Sequence, residues 1–162
     1  MRVIDNYFPD WMVKQVSNEL EFMPVRYNNS PYGDFSKARF FGSMLMENNQ
    51  FIDIKPWSFV DHFNNCVFND ILPNSLGHCH RLLLNAQLPD QHGVYHTDAD
   101  SDNYMSIIYM GHGNSGATEF KNGDTVDWKL GRMVIFQSNI YHRGCAPIDG
   151  WRVSLGGVYP TS

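Results

Sequence analysis

The chain predicts a mainly β fold of the α+β class, a sandwich or jelly roll with helices packed against one sheet. Three observations carry this. From Gly77 onward, short β-type runs at 78–87, 93–98, 104–110, 116–121, 132–138 and 151–159 are separated by Gly, Asp and Asn. Before that point, two apolar patterns repeat at helical rather than strand spacing. In addition, 43% apolar and 14% aromatic residues in a chain of 162 provide one buried core and no room for a second catalytic domain. The chain is therefore expected to be a single domain over 1–162, with a helical cover and lid region at 1–75 and a β core at 76–162.

Pro9 suits the first position of a helix, and Met12, Val13, Val16 and Leu20 fall on one face, so a helix is expected over about 9–22. The turn formers Asn28-Asn29-Ser30-Pro31-Tyr32-Gly33-Asp34 follow, and Ala38 to Met46 reads as a strand. Residues 27–37, with Tyr27, Tyr32 and Phe35 and bordered by Arg26, Lys37 and Arg39, are the candidate lid. A second helix begins near Pro56; Trp57, Val60, Phe63, Val67 and Ile71 hold its spacing until Leu72-Pro73-Asn74 ends it. The aromatics Phe40, Phe41, Trp57, Phe59, Phe63 and Phe68 are expected in the core.

Twelve Lys and Arg against seventeen Asp and Glu give a formal charge of −5 without a basic cluster, which argues against a nucleic-acid partner. Three cysteines, Cys66, Cys79 and Cys145, lack CxxC spacing and exclude a disulfide framework and a cysteine zinc site. No apolar run reaches bilayer length and the N-terminus soon turns acidic, so a cytoplasmic protein without membrane attachment is expected.

His96-Thr97-Asp98 places an imidazole and a carboxylate two residues apart, on the same face of a strand. With seven His and seventeen acids, about one such pair arises by chance, so the spacing alone is weak. His142 strengthens it: the residue lies 44 positions beyond Asp98, after the β-type run Met133 to Gln137 and before Arg143-Gly144. Ten residues further, Arg152 and Ser154 share a strand face beside Gly156 and Gly157. Two imidazoles and one carboxylate on one face of a metal match non-haem Fe(II) oxygenase sites. A guanidinium inside a barrel needs an anion. A dicarboxylic 2-oxo acid meets both demands, chelating iron at one end and meeting Arg152, assisted by Ser154, at the other.

Over roughly residues 80 to 159 the chain resembles the Fe(II)/2-oxoglutarate-dependent dioxygenases, within them the prolyl 4-hydroxylase-like branch. The resemblance rests on His96-x-Asp98, Ile107-Ile108-Tyr109-Met110, Gly116-Ala117-Thr118-Glu119-Phe120, Gly131 to Phe136, His142-Arg143-Gly144 and Arg152-x-Ser154. It implies a double-stranded β-helix (jelly roll) as the metal core, with iron ligation by His96, Asp98 and His142. It also implies that Arg152 binds the co-substrate carboxylate with Ser154 and Tyr109 as hydrogen-bonding neighbours. The implied cofactors are Fe(II), 2-oxoglutarate and O2, and the implied reaction is hydroxylation of a C–H bond with formation of succinate and carbon dioxide.

Many prolyl hydroxylases have Lys where Arg152 stands, and Tyr on the preceding strand where Asn85 or Gln87 stands, which makes both candidates for co-substrate contact. The nucleic-acid demethylase branch is similar at Asn85 but carries a second Arg where this chain has Val158. A prolyl 4-hydroxylase-like reaction on a peptide or protein is therefore the leading expectation. Hydroxylation of a free amino acid or small metabolite follows, then nucleobase demethylation, with a non-catalytic cupin-like metal or anion module as the alternative class. His78-Cys79-His80 lacks a fourth ligand at suitable spacing, and His92 and His112 are expected in solvated turns.

Overall fold

The computed structural model describes residues 1–27, 41–52 and 57–162. Apart from Tyr27, the candidate lid lies outside the described residues, as do the first part of the strand expected from Ala38 and the start of the second helix at Pro56.

Helix α1 (Asp10–Glu21) begins one residue after Pro9, whose extended backbone leaves its carbonyl to accept from the Met12 and Val13 amides. Its buried face is Val16, Ser17 and Leu20. Helix α2 (Ser58–Cys66) buries Phe59, Val60, Phe63 and Asn64, then widens into a π turn at Val67–Ile71. The expected continuous helix thus changes pitch in its last turn, which keeps Val67 and Ile71 buried.

The strands are β1 (Arg2–Ile4), β2 (Arg26–Tyr27), β3 (Phe41–Glu47), β4 (Gln50–Phe51), β5 (Arg81–Gln87), β6 (Tyr104–His112), β7 (Ala117–Phe120), β8 (Thr125–Asp127), β9 (Met133–Gln137), β10 (His142–Gly144) and β11 (Arg152–Pro160). They form a large antiparallel sheet in the order β1-β9-β6-β11-β5-β3-β2, with β4 hairpinned onto β3. A small sheet, β10-β7-β8, faces it and is extended by a single antiparallel bridge between His96 and His142. This is the double-stranded β-helix architecture. Residues 93–98 do not form the strand expected of them: only His96 pairs, and Asp98 lies in a bend.

The pleat of the large sheet sorts its residues into two layers. Leu82, Leu84, Ala86, Ile107, Tyr109, Met133, Ile135, Val153, Leu155 and Tyr159 point toward the helices and join Phe8, Leu20, Phe59, Val60 and Phe63 in the larger core. On the other face, Met110, Val134 and Phe136 meet Phe120 and Val126 of the small sheet inside the barrel. Removing a buried aromatic such as Phe63 from the first layer costs about 3–5 kcal/mol. The second layer is smaller because β5, β6 and β11 also place Arg81, Asn85, Gln87, Ser106, Arg152 and Ser154 on that face. Among the described residues no helix is long and apolar enough to cross a membrane.

Candidate metal and anion site

The bridge between His96 and His142 fixes the site. Each amide donates to the other's carbonyl, at 3.0 and 2.9 Å, and the imidazole centroids stand 4.5 Å apart. Each Nδ1 lies 3.0–3.1 Å from the carbonyl two residues back, Val94 for His96 and Ile140 for His142. A carbonyl only accepts, so Nδ1 carries the proton and Nε2 keeps its lone pair. Those Nε2 atoms approach Asp98 at 3.8 Å from His96 and 3.6 Å from His142. One ligand atom from each of the three residues lies within 4.8 Å of the others, the sole such cluster among the described residues. Burial pushes the His142 imidazole down, and neighbouring His96 adds to this against the opposing pull of Asp98, favouring the neutral, metal-binding form.

The Asp98 carboxylate is held from both sides. Ser106 Oγ donates to Oδ2 at 2.7 Å, and Arg81 Nη2 to Oδ1 at 3.2 Å while also reaching the Asp98 carbonyl at 3.3 Å. Ser138 supports the same corner: its carbonyl accepts from the Asp98 amide at 2.8 Å, and its hydroxyl lies 2.8 Å from that of Ser106. Such outer contacts orient metal ligands. Two nitrogens and one carboxylate oxygen on one side suit Fe(II) with positions left open.

Deeper in the barrel, Arg152 is only 3% exposed. Its Nη1 donates to Gln87 Oε1 at 2.6 Å and its Nη2 to Thr118 Oγ1 at 3.3 Å, while the guanidinium lies 5.1 Å from the Trp128 ring centroid. Gln87 is itself anchored, donating to the Gln91 and Gly144 carbonyls at 2.7 and 3.1 Å. A Cβ at Gly144 would fall 2.7 Å from both Arg152 Nη1 and Gln87 Oε1, so a side chain there would displace one or both of them. Burial lowers the Arg152 pKa to about 10, which still leaves a cation at neutral pH. Among the described residues no carboxylate pairs with it. Arg152 Nε and Trp128 Nε1, both buried, have no hydrogen-bond acceptor. A buried cation and two orphan donors make a cradle for an anion, which fits the far carboxylate of 2-oxoglutarate.

Ser154 is buried on the same face as Arg152, and cross-strand register sets Asn85 opposite Ser154 and Gln87 opposite Arg152. Tyr109 departs from expectation. It pairs in register with Leu155, so its side chain leaves the opposite face and packs among Phe8, Phe59 and Phe63. Its hydroxyl is buried without a partner there, away from Ser154 and Arg152. Arg81, Ser106, Ser138, Thr118 and Trp128 were not foreseen as site residues. Arg81 could have been found from strand parity, because it shares a face with Asn85 and Gln87.

Three of the remaining histidines, His80, His92 and His112, are held by the fold. His80 Nδ1 lies 3.2 Å from Asn48 Oδ1, and His112 Nδ1 lies 3.0 Å from Ser17 Oγ on α1. The Ala146 amide donates to His92 Nδ1 at 3.3 Å. Cys79 is buried, which pushes its thiol up to about 12.

No family model matches the sequence, and no curated protein matches it. Solved structures do. An oxidoreductase of the 2OG-Fe(II) oxygenase family from Burkholderia pseudomallei superposes with a TM-score of 0.69 at 15% identity, covering 98% of this chain and 84% of the other. A prolyl-4-hydroxylase from Pseudomonas putida gives 0.66 at 13% identity, covering 98% and 91%. A prolyl hydroxylase from Trichoplax adhaerens, in complex with a peptide fragment of the hypoxia inducible factor oxygen degradation domain, gives 0.69 at 9%, covering 99% and 83%. The resemblance read from the motifs therefore extends through the architecture, and the chain has the double-stranded β-helix fold of the 2-oxoglutarate/Fe(II) oxygenases.

Proposed function

We propose that the protein is a 2-oxoglutarate-dependent Fe(II) dioxygenase that hydroxylates a C–H bond, acting in prolyl 4-hydroxylase-like fashion on a peptide or protein. One observation carries this reading: a His-Asp-His cluster and a buried arginine that has no carboxylate partner among the described residues share the interior of one barrel. The four-way arrangement of Arg152, Gln87, Thr118 and Trp128 leaves the cation's charge to the ligand.

In this reading His96, Asp98 and His142 hold the iron through Nε2, a carboxylate oxygen and Nε2, with Val94 and Ile140 fixing the imidazole tautomers. Bound iron would supply oxygen activation coupled to conversion of 2-oxoglutarate to succinate and carbon dioxide. Arg152 orients the co-substrate by its far carboxylate, and Ser154 and Asn85 line the strand face between the two ends. Phe136, edge-on to His142 at 4.6 Å, and Phe120 keep water from the inner side of that imidazole. Support for a peptide substrate comes from the fold shared with prolyl hydroxylases, one of which was solved with a peptide bound.

The test is incubation of Fe(II)-loaded protein with 2-oxoglutarate and air, alone and with proline-containing peptides or free proline, following succinate and a gain of one oxygen by mass spectrometry. Succinate formation together with an oxidised peptide is expected. Succinate matched by oxidised free proline instead would move the substrate to small molecules, and metal-loaded protein forming no succinate under any condition would contradict the enzyme reading.

A further inference from the structure

Five buried side-chain polar atoms among the described residues lack a hydrogen-bond partner, and two of them belong to side chains in contact: Arg152 Nε and Trp128 Nε1. Both are donors and neither can accept. Inside a barrel a donor without an acceptor is costly, and two donors on contacting side chains call for an acceptor with several lone pairs. A carboxylate is such a group.

Trp128 sits where its indole cannot easily turn away. Its ring packs against the barrel cluster of Met110, Phe120, Val126, Val134 and Phe136. Its amide donates to the Gly116 carbonyl at 3.0 Å, tying the segment after β8 to the start of β7. Its π face meets the Arg152 guanidinium, whose aliphatic Cδ is so close to Gly116 that a Cβ there would stand 2.8 Å away. For packing and cation–π contact alone, phenylalanine would serve. The indole adds one buried N–H.

We propose that Trp128 donates its indole N–H to the far carboxylate of the 2-oxo dicarboxylate held by Arg152, and so helps the site select dicarboxylic over monocarboxylic 2-oxo acids. This rests on the co-substrate reading above. Trp128 acts on binding at the end of the co-substrate remote from the metal. It takes no part in metal ligation, and the keto-acid end is chelated in the same way whichever acid is bound.

That separation provides the test. 2-Oxoglutarate and 2-oxopentanoate have the same five-carbon length and the same chelating end, and only the first has a far carboxylate. Each is titrated anaerobically into Fe(II)-loaded wild type and Trp128→Phe while following the visible charge-transfer band of the chelated iron. Trp128→Phe should raise the Kd of 2-oxoglutarate on the order of tenfold and leave that of 2-oxopentanoate within about twofold. Equal effects on both acids, or none on either, would overturn the proposal. A wild type that binds iron but develops no band with either acid would instead overturn the co-substrate reading, and Trp128 with it.

A second measurement needs no variant. In Zn(II)-loaded protein with 15N-labelled indoles, 2-oxoglutarate should shift one of the four tryptophan N–H resonances strongly downfield, and 2-oxopentanoate should not. Four resonances indifferent to which acid is bound would overturn the proposal even if Trp128→Phe does not fold.

Discussion

Asp98 has a donor on each carboxylate oxygen, and the two donors differ in kind. Ser106 is neutral and short at 2.7 Å, whereas Arg81 is charged, longer at 3.2 Å, and also reaches the backbone of the residue it orients. Arg81 therefore fixes both the rotamer of the Asp98 carboxylate and the bend that presents it. Arg81→Gln, which keeps a donor but loses the charge and one of its contacts, should weaken Mn(II) binding about tenfold or more, as removal of such outer partners does. Isothermal titration reads this directly, and an unchanged metal affinity would show that Ser106 and Ser138 suffice. The triad was legible in the sequence because its spacing carries its chemistry: an H-x-D pair, and a distant His returned by an intervening hairpin. Arg81 and Ser106 have no such spacing signature, and only their strand faces bring them to Asp98. Tyr109 was misplaced for the same reason. Its strand reads Ile107-Ile108-Tyr109-Met110 without alternation, so nothing in the sequence says which face is interior, and pairing with Leu155 settles it.

Among the elements, β1 is a three-residue edge strand paired only with β9. Its backbone bonds are few, and it is pinned by charge just beyond its end. The Asp5 carboxylate accepts from Arg132 Nε at 2.7 Å and Nη2 at 2.9 Å, and from Lys129 Nζ at 3.1 Å. Arg132, with Lys129 adding, holds the Asp5 carboxyl well below the usual carboxylate range, against a smaller opposing effect of burial. A depressed folded-state pKa adds stability that is fully present above the unfolded pKa and is lost as pH falls through the acid range. Thermal melts of wild type and Asp5→Asn should therefore differ fully near neutral pH, and the difference should begin to shrink below about pH 4 and go on shrinking as the pH falls further. A constant difference across that range would assign the effect to packing. Short strands of this kind, β1, β8 and β10 with three residues each, were not read from sequence, because pairing rather than local pattern makes them strands. The converse holds at 93–98, a short β-type run in which only His96 finds a partner. The long strands β5, β6, β9 and β11 are legible as β-type runs bounded by Gly, Asp and Asn, and both helices from apolar periodicity that survives in the larger core.

At the scale of the molecule, the large sheet divides the protein into two chemistries. Its outer face is apolar and receives the helices, and its inner face carries Arg81, Asn85, Gln87, Ser106, Arg152 and Ser154 toward the small sheet. The helical layer supplies the buried apolar area, so the barrel interior can hold polar groups that would otherwise weaken a chain of this size. The small sheet then adds Thr118 and His142, so both ends of the site are built where the sheets face each other. In the proposed function these ends act on one molecule, a 2-oxo acid chelated by metal at the His-Asp-His cluster with its far carboxylate against Arg152. Anaerobic titration of 2-oxoglutarate into the Fe(II)-loaded protein tests it most directly. A visible charge-transfer band that saturates with 2-oxoglutarate and is absent in His142→Ala is expected. Wild-type protein that binds Fe(II) yet shows no band at any 2-oxoglutarate concentration would contradict it.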